Sequence, residues 1–97
     1  MAQVVCSASA LESLERIAQS SLRENPTAAE NTLRAIQSAI EHLAAHPLVG
    51  RRVEGDLREL VISFGATGYI ALYRFVVQRD EVRVLALRHQ REIGYLP

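Results

Sequence analysis

Residues 57–95, LRELVISFGATGYIALYRFVVQRDEVRVLALRHQREIGY, decide the fold. Leu60, Ile62 and Phe64 fall on one face of a strand, opposite Glu59, Val61 and Ser63, because side chains alternate along an extended chain. Gly65-Ala66-Thr67-Gly68 predicts a hairpin turn. Residues 69–77 are apolar on both faces, as a central strand should be, and Arg74 is the charge among them. Residues 78–81 turn the chain again. Residues 82–87 form the last strand, before Arg88, His89 and a tail through Arg91, Glu92 and Tyr95. A small sheet that ends in arginines, a histidine and a tyrosine suits phosphate or an acidic partner.

Upstream, 3–6 is a short β-type run in which Val4 and Val5 could add an edge strand. Ser7 is a good N-cap, with Ser9-x-x-Glu12 as an alternative capping box. Leu11, Leu14, Ile17, Ala18 and Leu22 then recur at helical spacing. The helix should stop at Asn25, since the residue before Pro26 is pushed out of the helical region. Thr27 with Glu30 reads as a second capping box, opening a helix whose stripe is Leu33, Ile36, Ile40 and Leu43. His46-Pro47 ends it, with His46 at the terminal carbonyls. Residues 47–56, PLVGRRVEGD, read as a loop. The order β-α-α-β-β-β implies an α+β domain, a small antiparallel sheet packed against an αα-hairpin.

The 97 residues fit one domain, 1–97. A chain of this length buries roughly 60–65% of its unfolded surface. No apolar run approaches the roughly 18 residues of a membrane helix, and the N-terminus lacks the pattern of a signal peptide. One cysteine, Cys6, cannot form an internal disulfide and reads as a small buried apolar residue, which fits a cytoplasmic protein. All eleven basic residues are arginine, which excludes chemistry that needs a lysine. Residues 1–50 hold three arginines against five acids, and residues 51–97 eight against six, so the net charge divides as −2 and +2. That is too mild for a bulk nucleic-acid binder. It leaves room for a local patch of arginines, whose planar forks pair with phosphate or carboxylate.

His42 and His46 have metal-ligand spacing but no third ligand nearby, so neither metal nor cofactor is expected. Tyr69, Tyr73 and Phe75 alternate onto one strand face and read as core. Arg74 reads as a snorkelling side chain with a carboxylate partner. Arg51, Arg52 and Arg58 carry two readings, a partner-binding patch or a solvated loop paired with Glu54 and Asp56.

The chain resembles the RelE/ParE superfamily of bacterial type II toxins. The resemblance rests on the short first strand, the helical hairpin, and the turn His46-Pro47-Leu48-x-Gly50-Arg51. It continues through Leu57-Arg58-Glu59-Leu60, Gly68-Tyr69-x-x-Leu72-Tyr73-Arg74 and Arg88-His89-Gln90-Arg91-Glu92-x-Gly94-Tyr95. It implies the toxin of a toxin–antitoxin or plasmid-stabilisation module, held by a cognate ParD-like antitoxin in a heterotetramer or larger complex. The turn and the tail are closer to ParE, which implies inhibition of DNA gyrase by binding, through Arg74, Arg88, His89, Arg91 and Tyr95. The antitoxin would lie along Leu14, Leu22 and Leu33, with Arg51 and Arg52. The RelE-like alternative is a ribosome-dependent mRNA endoribonuclease with His89 as base, Tyr95 as acid or stacking platform and Arg88 or Arg91 as clamp. The chain departs from RelE at Leu60, Ile62, Ser63 and Ile70, where basic residues are expected, and in having no lysine.

Overall fold

A computed structural model of the protein describes residues 1–64 and 67–91. The order is β1 (Gln3–Cys6), α1 (Ala8–Glu24), α2 (Pro26–Ala45), β2 (Arg51–Glu54), β3 (Leu57–Phe64), β4 (Thr67–Val76), a 3₁₀ turn (Val77–Arg79) and β5 (Glu81–His89). The strands form one sheet in the order β1-β5-β4-β3-β2.

Two expectations need correction. The sheet is mixed rather than antiparallel, because β1 pairs with β5 in parallel, Gln3 opposite Glu81 and Cys6 opposite Val84. The cause is a parity of reversals. Between β1 and β5 the chain reverses at each junction of two helices and three strands, an even number of times, so first and last strands run the same way. The second correction is the segment read as a loop. Arg51–Glu54 is an edge strand, pairing with β3 and irregular between Arg52 and Glu54. Its side chains are all exposed, so it carries no hydrophobic alternation to betray it. The turn at Gly65-Ala66 lies outside the described residues, and Phe64 pairs with Thr67 on either side of it.

Ser7 is the N-cap of α1. Its Oγ accepts the Ala10 N–H at 3.1 Å and donates to the Leu85 carbonyl at 2.9 Å. Leu85 sits where the β4–β5 register slips, between Val84 opposite Tyr73 and Ala86 opposite Leu72. One serine thus starts a helix and pins a β-bulge. Asn25, not Thr27, opens α2. Its Oδ1 accepts the N–H groups of Thr27 and Ala28 at 3.1 and 3.2 Å, while its own N–H closes α1 on the Ser21 carbonyl at 2.9 Å. Pro26 follows at the first helical position, where its missing N–H costs nothing. Glu30, expected in a capping box, pairs instead with Arg34 at 3.1 Å. The His46 N–H closes α2 on the His42 carbonyl.

Both helices cover one face of the sheet. At one end Ala10 and Leu43 pack on Tyr73, Val82 and Val84. At the other, Ile17 and Ile36 pack on Ile62, Tyr69, Ala71 and Leu87. The tyrosines are core, as expected. On α1 the buried face is Ala10, Ser13 and Ile17, and the larger Leu11 and Leu22 stand exposed. At 100° per residue, Leu11, Leu14, Ala18 and Leu22 form a second apolar stripe roughly a third of a turn away from that face.

The turn before β2 is locked from beneath. The Gly50 N–H donates to the buried Tyr73 hydroxyl at 2.8 Å, and one Arg58 nitrogen donates to the carbonyls of Leu48 and Gly50 at 3.1 and 2.8 Å. A Cβ on residue 50 would stand 2.6 Å from the Tyr73 ring and 2.8 Å from the Glu59 carbonyl, so only glycine fits. Burial raises the Tyr73 hydroxyl's pKa, against the smaller lowering effects of the Gly50 hydrogen bond and the Arg58 charge.

Candidate functional site

Two regions bear candidate residues: the C-terminal end of β5 and the outer surface of the helical hairpin. At the first, alternation sends neighbours to opposite sides. His89 pairs with Tyr69, on the face the helices cover, while Arg88 pairs with Ile70 on the open face. The His89 ring stands edge-on to Tyr69, with centroids 5.2 Å apart and planes at 79°. It lines a cleft with Arg16, Ile17 and Ser20 of α1. Its Nδ1 accepts the backbone N–H of Arg91 at 3.1 Å, and the Arg91 side chain is exposed.

Arg88 lies with the nearly buried Glu59. One Glu59 oxygen accepts from Arg51 at 2.9 Å, and the other is 3.9 Å from an Arg88 nitrogen. Arg74 is four residues along β4 from Ile70, roughly 14 Å, and pairs with Asp56 at 3.5 Å. Next to Arg74 is Arg83, bonded to Glu81 at 3.0 Å. Arg74, Arg88 and His89 therefore occupy three separate places. Tyr95 lies outside the described residues.

At the second region, Leu14, Leu33, Ile36 and Ile40 line an almost wholly apolar groove of about 330 Å³, edged by Cys6, Gln37 and Glu41. A second hollow, lined by Met1, Val4 and Ala44, shares Cys6, Ile40 and Glu41 with it and carries it along the open edge of β1. Leu14 and Leu33 thus meet. Leu22 is on the same stripe of α1 as Leu14, two turns further and about 12 Å away. Arg51 and Arg52 stand on β2, four strand spacings from β1 and so roughly 19 Å across the sheet. Cys6 is only half-buried, and its thiol is pushed up by desolvation, which keeps it in the less nucleophilic protonated form.

Sequence reasoning missed three residues that organise these regions. Arg16 and Ser20 join Tyr69 and His89 from more than forty positions away, and nothing local marks that meeting. Glu59 read as an outward strand residue, yet it is the carboxylate between two arginines. Among the described residues no three His, Cys, Asp or Glu side chains gather as a metal site, and no helix is long and apolar enough to cross a membrane.

A two-helix hairpin on a five-stranded mixed sheet is the architecture of solved toxins in toxin–antitoxin complexes. The chain superposes on a structure described as the chromosomal ParDE TA system from P. aeruginosa. That match has a TM-score of 0.75 and 19% identity, and covers 92% of this chain and 96% of that one. A structure of the intact E. coli RelBE toxin–antitoxin complex matches with a TM-score of 0.62 and 13% identity, covering 90% of this chain and 94% of that one. These likenesses establish the fold. In sequence, the chain is 42% identical over 71 residues to the protein named Toxin RelE3 of Caulobacter vibrioides, covering 73% of this chain and 75% of that relative. Residues 4–94 match the family model described as ParE toxin of type II toxin-antitoxin system, parDE. The chain belongs to this ParE toxin family, within the RelE/ParE superfamily.

Proposed function

We propose that this toxin acts by binding, with DNA gyrase as its target, and that a ParD-like antitoxin seated in the groove between α1 and α2 neutralises it in the cytoplasm. The observation that carries the binding mechanism is the hydrogen bond from the Arg91 N–H to His89 Nδ1, with Arg88 on the other face of β5. Metal-free RNA cleavage needs a base on the 2′-hydroxyl and a cation on the same phosphate. Arg88, across the sheet from His89, does not serve the same phosphate, which leaves Arg91 for that role. The base is also compromised: with Nδ1 accepting the Arg91 N–H, a neutral imidazole carries its proton on Nε2 and offers a donor, not an acceptor. The groove supports the partner. It is apolar and edged by a free strand, which suits an amphipathic helix with an extended segment beside it.

The RelE-like reading is the rival, and the name of the Caulobacter relative keeps it in play. Pulse-labelling in the minutes after induction separates the two. The binding reading expects DNA synthesis to fall first, and the purified toxin to inhibit gyrase supercoiling in vitro. An early collapse of protein synthesis with intact DNA synthesis, and mRNA cut in the ribosome, would overturn it.

A further inference from the structure

Where the two hollows of the hairpin surface meet, a carboxylate stands in an apolar setting. Glu41 lines both hollows, together with Cys6 and Ile40. It is exposed, on the turn before the last of α2. Its Oε1 accepts the Gln37 side-chain amide at 3.3 Å, a long neutral contact from one turn back on the same helix. Among the described residues Glu41 makes no ion pair, whereas Glu30, on the same helix, has Arg34. The helix gives it no support either. α2 ends four residues on, at Ala45, and a helix C-terminus carries the negative pole of the backbone dipole. The chain's own structure therefore does not account for an acid at this position.

In water that carboxylate is solvated at no cost. A partner that fills both hollows takes the water away, and a carboxylate buried without a counter-charge is heavily penalised. The partner has to bring the counter-charge with it. We propose that the chain seated in the groove sets an arginine or a lysine on Glu41, and that this pair makes Glu41 a specificity-determining residue of the toxin. The pairing rests on the groove's being the antitoxin's seat, and it states what that partner carries there. The spacing comes from α2. Leu33 and Glu41 are eight residues apart, about 12 Å along the helix axis. A partner helix laid along α2 has its cation seven or eight positions from the apolar residue that covers Leu33. That places the cation where the partner's helix gives way to the segment beside β1. A partner with an acid at the same point meets a like charge in a desolvated contact and is rejected, which separates one antitoxin from another.

The test is a calorimetric titration of the full-length toxin with its cognate antitoxin, for wild type, Glu41→Gln, Glu41→Lys and Leu33→Glu. Glu41 is exposed, so both variants at that position should unfold at the wild-type temperature. Glu41→Gln keeps the shape, removes the charge and strands the partner's cation. It should weaken binding roughly tenfold or more, and Glu41→Lys about a hundredfold or more. The arginines and lysines of the antitoxin are then changed to glutamate one at a time. One such change should restore binding to Glu41→Lys to within about fivefold while weakening binding to wild type, the signature of a direct pair. Glu41→Gln within about twofold of wild type, with Leu33→Glu failing to bind, overturns the cation and leaves the groove as the antitoxin's seat. Wild-type binding by both Glu41→Gln and Leu33→Glu removes the seat itself and the pair with it. A loss in Glu41→Lys that no antitoxin reversal restores also overturns the pair.

Discussion

Replacing Tyr73 with phenylalanine removes one oxygen and tests the lock on the turn before β2. The Tyr73 side chain is fully buried, and its hydroxyl takes the Gly50 N–H at 2.8 Å. Phenylalanine keeps the ring packing and strands a buried backbone donor. The cost of such a group is about 1–3 kcal/mol, larger than the net gain of an ordinary hydrogen bond because the donor has no water to turn to. A chain of 97 residues has an unfolding entropy near 0.2 kcal/mol/K, so the melting temperature falls by about 5–15 °C. Against a typical domain stability of about 5–15 kcal/mol the variant still folds. Calorimetry and urea unfolding measure the loss. The alkaline limb gives a second reading. Burial holds the Tyr73 hydroxyl above its usual value, so the unfolded chain loses that proton first. Stability from this group is complete below about pH 10 and is lost as pH rises through the folded-state pKa, because the folded state then binds more protons than the unfolded one. The difference between wild type and Tyr73→Phe should shrink over that limb. A variant within about 0.5 kcal/mol of wild type at neutral pH, the range of an ordinary surface change, with an unchanged alkaline limb, refutes the lock.

Gly50→Ala drives a methyl into the Tyr73 ring and the Glu59 carbonyl and should cost about 1–3 kcal/mol or more in urea unfolding, since a backbone oxygen does not step aside. Glu59→Gln removes the charge between Arg51 and Arg88. Arg88 is largely buried and Arg51 largely exposed, so the expected loss is about 1–3 kcal/mol, below that of a fully buried pair, and 0.5 M salt should change it little. Asn25→Ala deprives two N–H groups of their acceptor and should lower stability by about 1 kcal/mol, seen in thermal unfolding. Leu33→Glu places a charge in the groove between the helices. It should weaken antitoxin capture at least tenfold in a pull-down or titration while leaving growth inhibition intact, and undiminished rescue by the antitoxin would remove the groove from the interface.

The strands from Leu57 onward were readable because they alternate or run apolar between strong turn signals, and Ser7 and Asn25 announced the first helix by chemistry local to it. What escaped has physical reasons. β2 is exposed along its length, so it has no core face to read. The α1 stripe was misplaced because leucines outweigh alanine and serine in any hydrophobic pattern, yet close helix-to-sheet packing favours the small Ala10 and Ser13 and leaves Leu11 and Leu22 outside. The tail residues were singled out because they are polar and basic, and their grouping was read from nearness in sequence. In a strand that nearness means opposite sides, which is why Arg88 and His89 separate. The partners they found, Glu59 and Tyr69, came through strand register, and Arg16 through helix docking, neither of which has a local signature.

The pairing of β1 with β5 also orders events in time. Among the described residues the first strand has no sheet neighbour except the last, and Gln3 is 78 positions from Glu81. During synthesis at about 5–20 residues per second, Val4 and Val5 wait through the making of nearly the whole chain before they gain backbone partners. Contacts of such separation are slow to form. A chain truncated after Asp80 should show no hydrogen-exchange protection at Val4 and Val5, whatever its helices have done. The groove edge formed by β1 is then completed only once β5 has been made and paired, so a partner gripping that edge would meet an assembled sheet rather than a nascent one.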